Sequence, residues 1–175
     1  EGWSSDNADI EWARNLIAEW DGQLTKESTA GAIYVRWSDE VDDRAIDSAT
    51  PLPERRVLIE QGLEDALSRL TSELGADRGQ WRHGRVHYSD LPHMMVSAFD
   101  LPTVERPGGF GSVNATGANF RRIIDFADLT SVAATNAPGQ SAQPGSPFYG
   151  NLVENLGNGE YFPMVFTRQG VEEGA

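Results

Sequence analysis

The chain contains no cysteine and a single lysine, Lys26, among its 175 residues. Without cysteine it can form neither disulfide bonds nor a thiolate metal site, so cysteine usage does not indicate a redox compartment. Basic residues are few, 14 against 27 acidic ones, which gives a formal net charge of -13 and a pI near 4.5. We therefore expect neither nucleic acid nor an anionic membrane as a partner.

Long apolar runs are also missing. No run approaches the ~20 residues of a membrane helix, and residues 1–5 lack the basic and apolar regions of a signal peptide. The sequence therefore predicts a soluble segment, which can belong to a larger protein. Its 39% apolar and 9% aromatic residues suffice for one packed domain of ordinary size.

The near absence of lysine has two explanations. Thirteen of the 14 basic residues are arginine. Together with the acidic surplus this favours adaptation to a saline environment, because carboxylates keep proteins hydrated and apart where salt screens other interactions. A GC-rich genome also favours arginine over lysine, although it does not by itself explain the acidic surplus.

Apolar residues recur at helical spacing in residues 1–75. The predicted helices run from about Ile10 to Trp20, from about Glu27 to Asp43 and from about Pro53 to Leu74. Asp21-Gly22 ends the first, Thr25 is a candidate cap of the second, and Gly75 follows the third. We expect Trp12, Trp20 and Trp37, which lie in these apolar stripes, to belong to the core.

After Gly75 the sequence changes to short β-like runs separated by glycine and proline. The predicted strands are Arg85 to Tyr88, Met94 to Phe99, Phe120 to Phe126, Ser131 to Thr135 and Phe162 to Phe166. Long loops are predicted around Pro102 to Gly109 and from Pro138 to Pro147, and a short helix from Tyr149 to Leu156. The fold class is therefore α+β, with a helical segment 1–75 followed by a β-rich segment 76–175.

Three histidines, His83, His87 and His93, are the candidate metal ligands. On a helix the first two would have the i, i+4 spacing of a zinc pair. Gly84 and the β-branched Val86 favour a strand instead, on which the two rings would lie too far apart. We therefore expect packing or hydrogen-bonding roles and no metal site.

Glycine and serine motifs of known enzyme classes do not fit. Gly108 to Gly111 and Gly139-Gln140 contain neither GxGxxG nor a P-loop lysine, so tight turns are the better interpretation. Neither Ser141 nor Ser146 stands in the Gly-x-Ser-x-Gly pattern of a serine hydrolase elbow.

A denser signal comes from five motifs in a fixed order. They are Trp81-Arg82-His83-Gly84-Arg85-Val86-His87, Pro107-Gly108-Gly109-Phe110-Gly111-Ser112-Val113-Asn114-Ala115, Phe120-Arg121-Arg122-Ile123-Ile124-Asp125, Gly139 to Tyr149, and Gly159-Glu160-Tyr161-Phe162-Pro163-Met164-Val165-Phe166. Together with Trp20-Asp21-Gly22 and Glu27-Ser28-Thr29-Ala30 they resemble the C-terminal part of the β-subunit of the penicillin acylase (penicillin amidase) family. The resemblance covers nearly the whole chain.

This resemblance implies an N-terminal-nucleophile hydrolase of αββα architecture. In that family a precursor cleaves itself to expose a serine whose α-amino group acts as the base in acyl transfer from an amide to water. Glu1 cannot be that nucleophile, and the resemblance places the nucleophile, the oxyanion donors and any calcium ligands in earlier segments. The chain is then a C-terminal fragment without a cofactor of its own, whose partners are the remaining acylase chains.

Asp125 is the one catalytic candidate within the chain. In some similar cephalosporin acylases an acid in this region is a partner of the catalytic centre, which the resemblance implies for Asp125 in the parent enzyme. The alternative is structural: an aspartate at a strand end that pairs with Arg121, Arg122 or a backbone N–H.

Two functions of different class remain open. The chain is either the scaffold part of an amidohydrolase acting on N-acyl compounds such as penicillins or acyl-homoserine lactones, or a stand-alone binding or structural module derived from that family. Family members are commonly periplasmic or secreted. An isolated fragment should expose apolar faces and self-associate.

Overall fold

A computed structural model describes residues 4–44, 50–115, 120–165 and 167–174. The chain divides into two compact units, residues 1–86 and 87–175. The first unit is helical, and the second contains all the described strands. The structure thus confirms the predicted α+β class, with helices preceding strands. No described helix is long and apolar enough to cross a membrane.

Three helices form the first unit: α1 (Ala8–Ala18), α2 (Thr29–Asp43) and α3 (Leu52–Leu74). The predicted helices are confirmed with shifted ends. The side chain of Asn7 caps α1, and that of Ser28, rather than Thr25, caps α2 by accepting the N–H of Gly31. Gly75 ends α3 with φ 90°, a conformation that favours glycine.

The core of the first unit is apolar. Its buried members are Ile10, Ala13, Ala32, Ile33, Leu63, Leu67, Leu70 and Trp81. Trp12 and Trp37 pack against this core as predicted. Trp20 is only half-buried and contacts the ring of Tyr34, at a centroid distance of 5.4 Å.

Trp81 explains why residues 76–86 belong with the helices although the sequence changes character at residue 75. The ring of Trp81 meets that of Trp12 edge-on, with the centroids 6.1 Å apart. Its indole N–H donates to the carbonyl of Gly75 over 2.8 Å, so it also satisfies the end of α3. His83 begins a short 3₁₀ helix (His83–Arg85) and donates its backbone N–H to the carbonyl of Ser28. The strand predicted from Arg85 to Tyr88 is therefore wrong except at Tyr88.

Arginine–carboxylate pairs join α2 to α3 on the surface of the first unit. Arg36 contacts Glu73 at 2.8 Å, and Arg69 contacts both Glu73, at 2.9 Å, and Asp39, at 3.6 Å. Arg44 pairs with Asp65. These pairs are partly exposed, so each contributes little, although several share partners in one network.

The second unit contains two small antiparallel sheets. The strands are β1 (Tyr88–Leu91) paired with β2 (Leu101–Glu105), and β3 (Phe120–Ile124), β4 (Val132–Asn136) and β5 (Phe162–Pro163) in that order. The predictions for β3 and β4 are confirmed. The predicted strand from Met94 to Phe99 is wrong: this stretch contains bends and a 3₁₀ helix at Ser97–Phe99, and the pairing strand is β2, in a stretch predicted as loop.

Two short helices complete the second unit: α4 (Val153–Asn158), within and beyond the predicted Tyr149–Leu156 helix, and α5 (Arg168–Gly174), which was not predicted. A β-carbon at Gly157 of α4 would lie 2.5 Å from the side chain of Val104 in β2. Because Gly157 has no side chain, helix α4 can pack closely against β2. Strand β5 is only two residues long, and Phe166, at the end of the predicted strand, lies outside the described residues.

Candidate functional site

The centre of the second unit is polar. Arg106, which follows β2, is completely buried. Its Nη1 donates to the hydroxyl of Ser89 on β1 at 2.8 Å, and its Nη2 donates to the carbonyls of Asn114 and, at 2.9 Å, Ala115. One buried guanidinium thus ties strand β1 to the end of the loop that begins at Pro107.

Ser112 determines the shape of that loop. Its hydroxyl accepts the backbone N–H groups of Gly109, at 3.1 Å, and Asn114, at 3.2 Å, and donates to the carbonyl of Gly109. Gly108 has φ 79°, and a β-carbon there would lie 2.7 Å from that of Asn114. Glycine at this turn therefore allows Asn114 to reach the buried cluster.

Asn114 connects two further motifs. Its side-chain oxygen accepts the phenol O–H of Tyr161 at 3.0 Å, and its carbonyl oxygen lies 2.9 Å from Nε2 of His87. Because a carbonyl only accepts, His87 must carry a proton on Nε2. Burial lowers the pKa of His87 below 6.5; the bond to Asn114 partly opposes this, and the charges of Arg106 and Arg121 add to it.

Arg121, on β3, is the second buried arginine of the cluster. Its Nη2 donates to the carbonyl of Ala115 at 3.2 Å. Burial lowers the pKa of Arg106 to about 10, with the charge of Arg121 as the next cause, and also lowers that of Arg121. Both groups stay positively charged at neutral pH. Burial raises the pKa of Tyr161, so its phenol stays protonated.

Asp125, the predicted catalytic candidate, lies outside this cluster. It is exposed just after β3, where its Oδ1 accepts the N–H of Ala127 at 2.8 Å. This bond forms an Asx turn at the start of the β3–β4 connection. The partner of Asp125 is therefore a backbone N–H, one of the structural alternatives given for it above.

The histidines occupy separate environments. His83 is buried in the first unit, whereas His93, in the second, accepts the N–H groups of Met95, at 3.2 Å, and Val96, at 3.1 Å, through Nδ1. Across the part of the chain that the structure describes, no group of three or more acidic or histidine side chains is placed to hold a metal ion.

The loop from residue 139 to 149 borders a cavity of about 560 Å³ in the second unit. Its lining includes His93, Met94, Met95, Gln140, Ser141 and Tyr149. A β-carbon at Gly139 would collide with the carbonyl oxygens of Phe148 and Tyr149. Only glycine therefore fits where the two ends of the loop meet.

Four of the five sequence motifs are represented at or next to the polar cluster, through His87, Asn114, Arg121 and Tyr161. Sequence reasoning singled out these motifs but missed Arg106, which precedes the second motif. Its only sequence signal is scarcity, since residues 87–175 contain four basic residues against nine acidic ones.

Comparisons with known proteins agree with the family resemblance found in the sequence. The penicillin amidase family model matches residues 4–173. Acyl-homoserine lactone acylase QuiP of Pseudomonas syringae pv. tomato is 25% identical over 148 residues, covering 73% of this chain and 18% of that protein. QuiP of Pseudomonas fluorescens is 27% identical over 136 residues, covering 70% of this chain and 16% of that protein. The chain thus spans less than a fifth of the length of these relatives.

Proposed function

Because the chain belongs to the penicillin amidase family, we propose that it is the C-terminal scaffold segment of a larger amidohydrolase that cleaves N-acyl compounds. The observation that carries this proposal is the family match across residues 4–173. In the reaction, water adds to the acyl carbon and the amide C–N bond breaks, which gives a carboxylic acid and an amine. Acyl-homoserine lactones, named for the relatives, and penicillins are the substrate classes to test.

An exposed sheet face supports the scaffold role. The register of β3 and β4 places Phe120, Arg122 and Ala134 on one face, and Phe162 of β5 pairs with Ala134. Phe120 is 53% exposed and Phe162 44% exposed. Exposed aromatic rings on one sheet face are typical of a surface that packs against further polypeptide. We assign it to the remaining acylase chains.

The activity test compares the 175-residue chain with the full-length gene product. Release of amine from N-acyl-homoserine lactones and from a chromogenic phenylacetyl amide is measured for both. We expect turnover by the gene product and none by the 175-residue chain, because the resemblance places the nucleophile in an earlier segment. Turnover by the 175-residue chain, lost on mutation within it, would contradict the scaffold role. A gene product that neither processes itself nor turns over any amide would favour the stand-alone module.

Asp125 provides a second test, in the active gene product. Asp125→Asn removes the charge but keeps the oxygen that accepts the Ala127 N–H, so the turn should persist. If the carboxylate supports the catalytic centre, kcat should fall about 10- to 1000-fold in a protein that still matures and melts normally. Asp128→Asn, at the other exposed aspartate of this turn, is the matched control. Unchanged kcat in a stable Asp125→Asn variant would leave Asp125 with its turn alone.

A further inference from the structure

The buried polar cluster of the second unit has an excess of donors. Arg106 Nε, Arg121 Nε and Arg121 Nη1 are buried and have no hydrogen-bond partner among the residues that the structure describes. The hydroxyl of Thr135 is likewise buried and has no hydrogen-bond partner among these residues. Thr135 lies directly opposite Arg121 in the β3–β4 register, so their side chains share one face of that sheet. Arg106 reaches the same place from the end of β2, since it and Arg121 both donate to the carbonyl of Ala115.

Charge distinguishes this cluster from an ordinary buried hydrogen-bond network. Arg106 is fully buried and Arg121 is 5% exposed, yet neither forms an ion pair with any carboxylate in the described part of the chain. Buried charges in proteins are normally paired, because an uncompensated one is costly. The surrounding acceptors, the hydroxyl of Ser89 and the carbonyls of Asn114 and Ala115, are all neutral.

The chemistry of the missing acceptor follows from these donors. Guanidinium N–H groups only donate, and a threonine hydroxyl can donate as well. An anion with two oxygens can accept from a guanidinium and a neighbouring hydroxyl at once. We propose that Arg106, Arg121 and Thr135 form a binding site for a carboxylate. Its source is either a small carboxylate from solution or an Asp or Glu side chain from the remaining polypeptide of the parent protein.

This site is independent of the proposed hydrolase activity. Its test measures thermal stability and not turnover, so either proposal can fail without affecting the other. The first measurement takes the 175-residue chain at pH 7 and constant ionic strength, with sodium chloride replaced stepwise by sodium acetate. Melting is followed by circular dichroism. The variants are Arg121→Gln and, as a matched control, Arg122→Gln, whose exposed guanidinium lies 5.2 Å from the Phe120 ring.

A soluble carboxylate predicts one pattern. Acetate should raise Tm by at least about 4 °C for the wild type and for Arg122→Gln. Arg121→Gln should not respond. A response that all three proteins share would show a general solvent effect and would overturn the proposal for a soluble anion.

A protein carboxylate predicts a second pattern, measured in the full-length gene product. Thr135→Val replaces the hydroxyl by a methyl group of similar size, so it should fold. If the hydroxyl serves a bound carboxylate, Tm should fall by several degrees, and Arg121→Met should also lower it because the carboxylate loses its cation.

The sign of the change is decisive. If no anion is bound, Thr135→Val removes an unsatisfied buried hydroxyl, and Tm should rise or stay unchanged. Arg121→Met also removes the bond from Nη2 to Ala115, so Thr135→Val decides the question. A rise or no change for Thr135→Val, with no acetate response in the 175-residue chain, overturns the proposal. A structure of the gene product with an Asp or Glu oxygen within 4 Å of Arg121 would identify the source directly.

Discussion

The two units of this chain are stabilised in different ways. In residues 1–86 the buried side chains are almost all apolar, and arginines lie on the surface in pairs with carboxylates. Among the described residues of 87–175 the buried apolar side chains are Val132, Leu152 and Leu156, whereas His87, Arg106, Arg121 and Thr135 are buried and polar. The second unit therefore depends on directional hydrogen bonds where the first depends on apolar packing.

The difference shows how much each unit relies on its surroundings. The helical unit buries most of its apolar stripes within itself, although Leu52, Val57 and Tyr34 are exposed. The second unit leaves large apolar side chains exposed, including Met94 at 96%, Phe110 at 106% and Phe126 at 88%. Such surface is typical of a part that is completed by further contacts.

Truncation of the helical core should give the largest effect. Leu70→Ala removes a fully buried side chain of α3 and should lower the free energy of unfolding of the first unit by about 2–5 kcal/mol. Val57→Ala, on the exposed side of the same helix, is the control and should change it by less than about 0.5 kcal/mol. Chemical denaturation measures both. Equal effects would show that the first unit is not held by its apolar core.

Self-association tests the exposed face of the second unit. The 175-residue chain should form oligomers at high concentration, because Phe120 and Phe162 are exposed on one sheet face. Phe162→Glu should shift light scattering towards the monomer, whereas Val57→Glu, in the first unit, should not. A wild-type monomer that binds no hydrophobic dye would show that the chain is complete without partners.

Loss of one hydrogen bond in the polar cluster should have a smaller effect. Tyr161→Phe removes the donor to Asn114 and should destabilise the second unit by about 0.5–1.5 kcal/mol. Tyr88→Phe removes an exposed phenol from β1 and serves as the control. If both variants melt like the wild type, the bond from Tyr161 does not help to hold the cluster together.

His87 makes the stability of the second unit depend on pH. Its pKa is lower in the folded state than the usual 6.5, so the unfolded chain binds more protons between the two values. The contribution of His87 is therefore complete above pH 6.5 and is lost as the pH falls towards the folded pKa. His87→Gln, which can still donate to Asn114, should flatten this slope in acid titrations followed by circular dichroism. His93→Gln, outside the cluster, should leave it intact.

Salt should give the smallest difference between the two units, because it acts on both. Residues 1–86 carry 18 acidic and 10 basic residues, and residues 87–175 carry nine and four. Molar KCl screens carboxylate repulsion in both units, but it also weakens the surface ion pairs concentrated in the first. We expect Tm to rise with KCl, and to rise more in the second unit. A flat or falling Tm in both would favour the genomic explanation for the arginine excess.

The same contrast explains what the sequence could predict. The 3.6-residue spacing of Leu63, Leu67 and Leu70 predicts both α3 and its buried side, because apolar packing leaves a periodic trace. Strand β2 contains Pro102 and lies where a loop was predicted; its pairing with β1 is non-local and leaves no such trace. The burial of Arg106 could not be predicted either, because a single arginine in a sequence is usually exposed. Asp125 could be placed at the end of a strand, but the sequence did not indicate its turn with Ala127.

The tryptophans described above have a practical consequence for spectroscopy. All five tryptophans of the chain lie in residues 1–86, and Trp12, Trp37 and Trp81 pack in or against the helical core. Intrinsic fluorescence excited at the red edge of tryptophan absorption will therefore report the helical unit alone. The second unit contains no tryptophan, and its aromatic side chains are Tyr88, Tyr149, Tyr161 and several phenylalanines. Fluorescence and far-ultraviolet dichroism, recorded on the same sample, can thus compare the unfolding of the helical unit with that of the whole unlabelled chain.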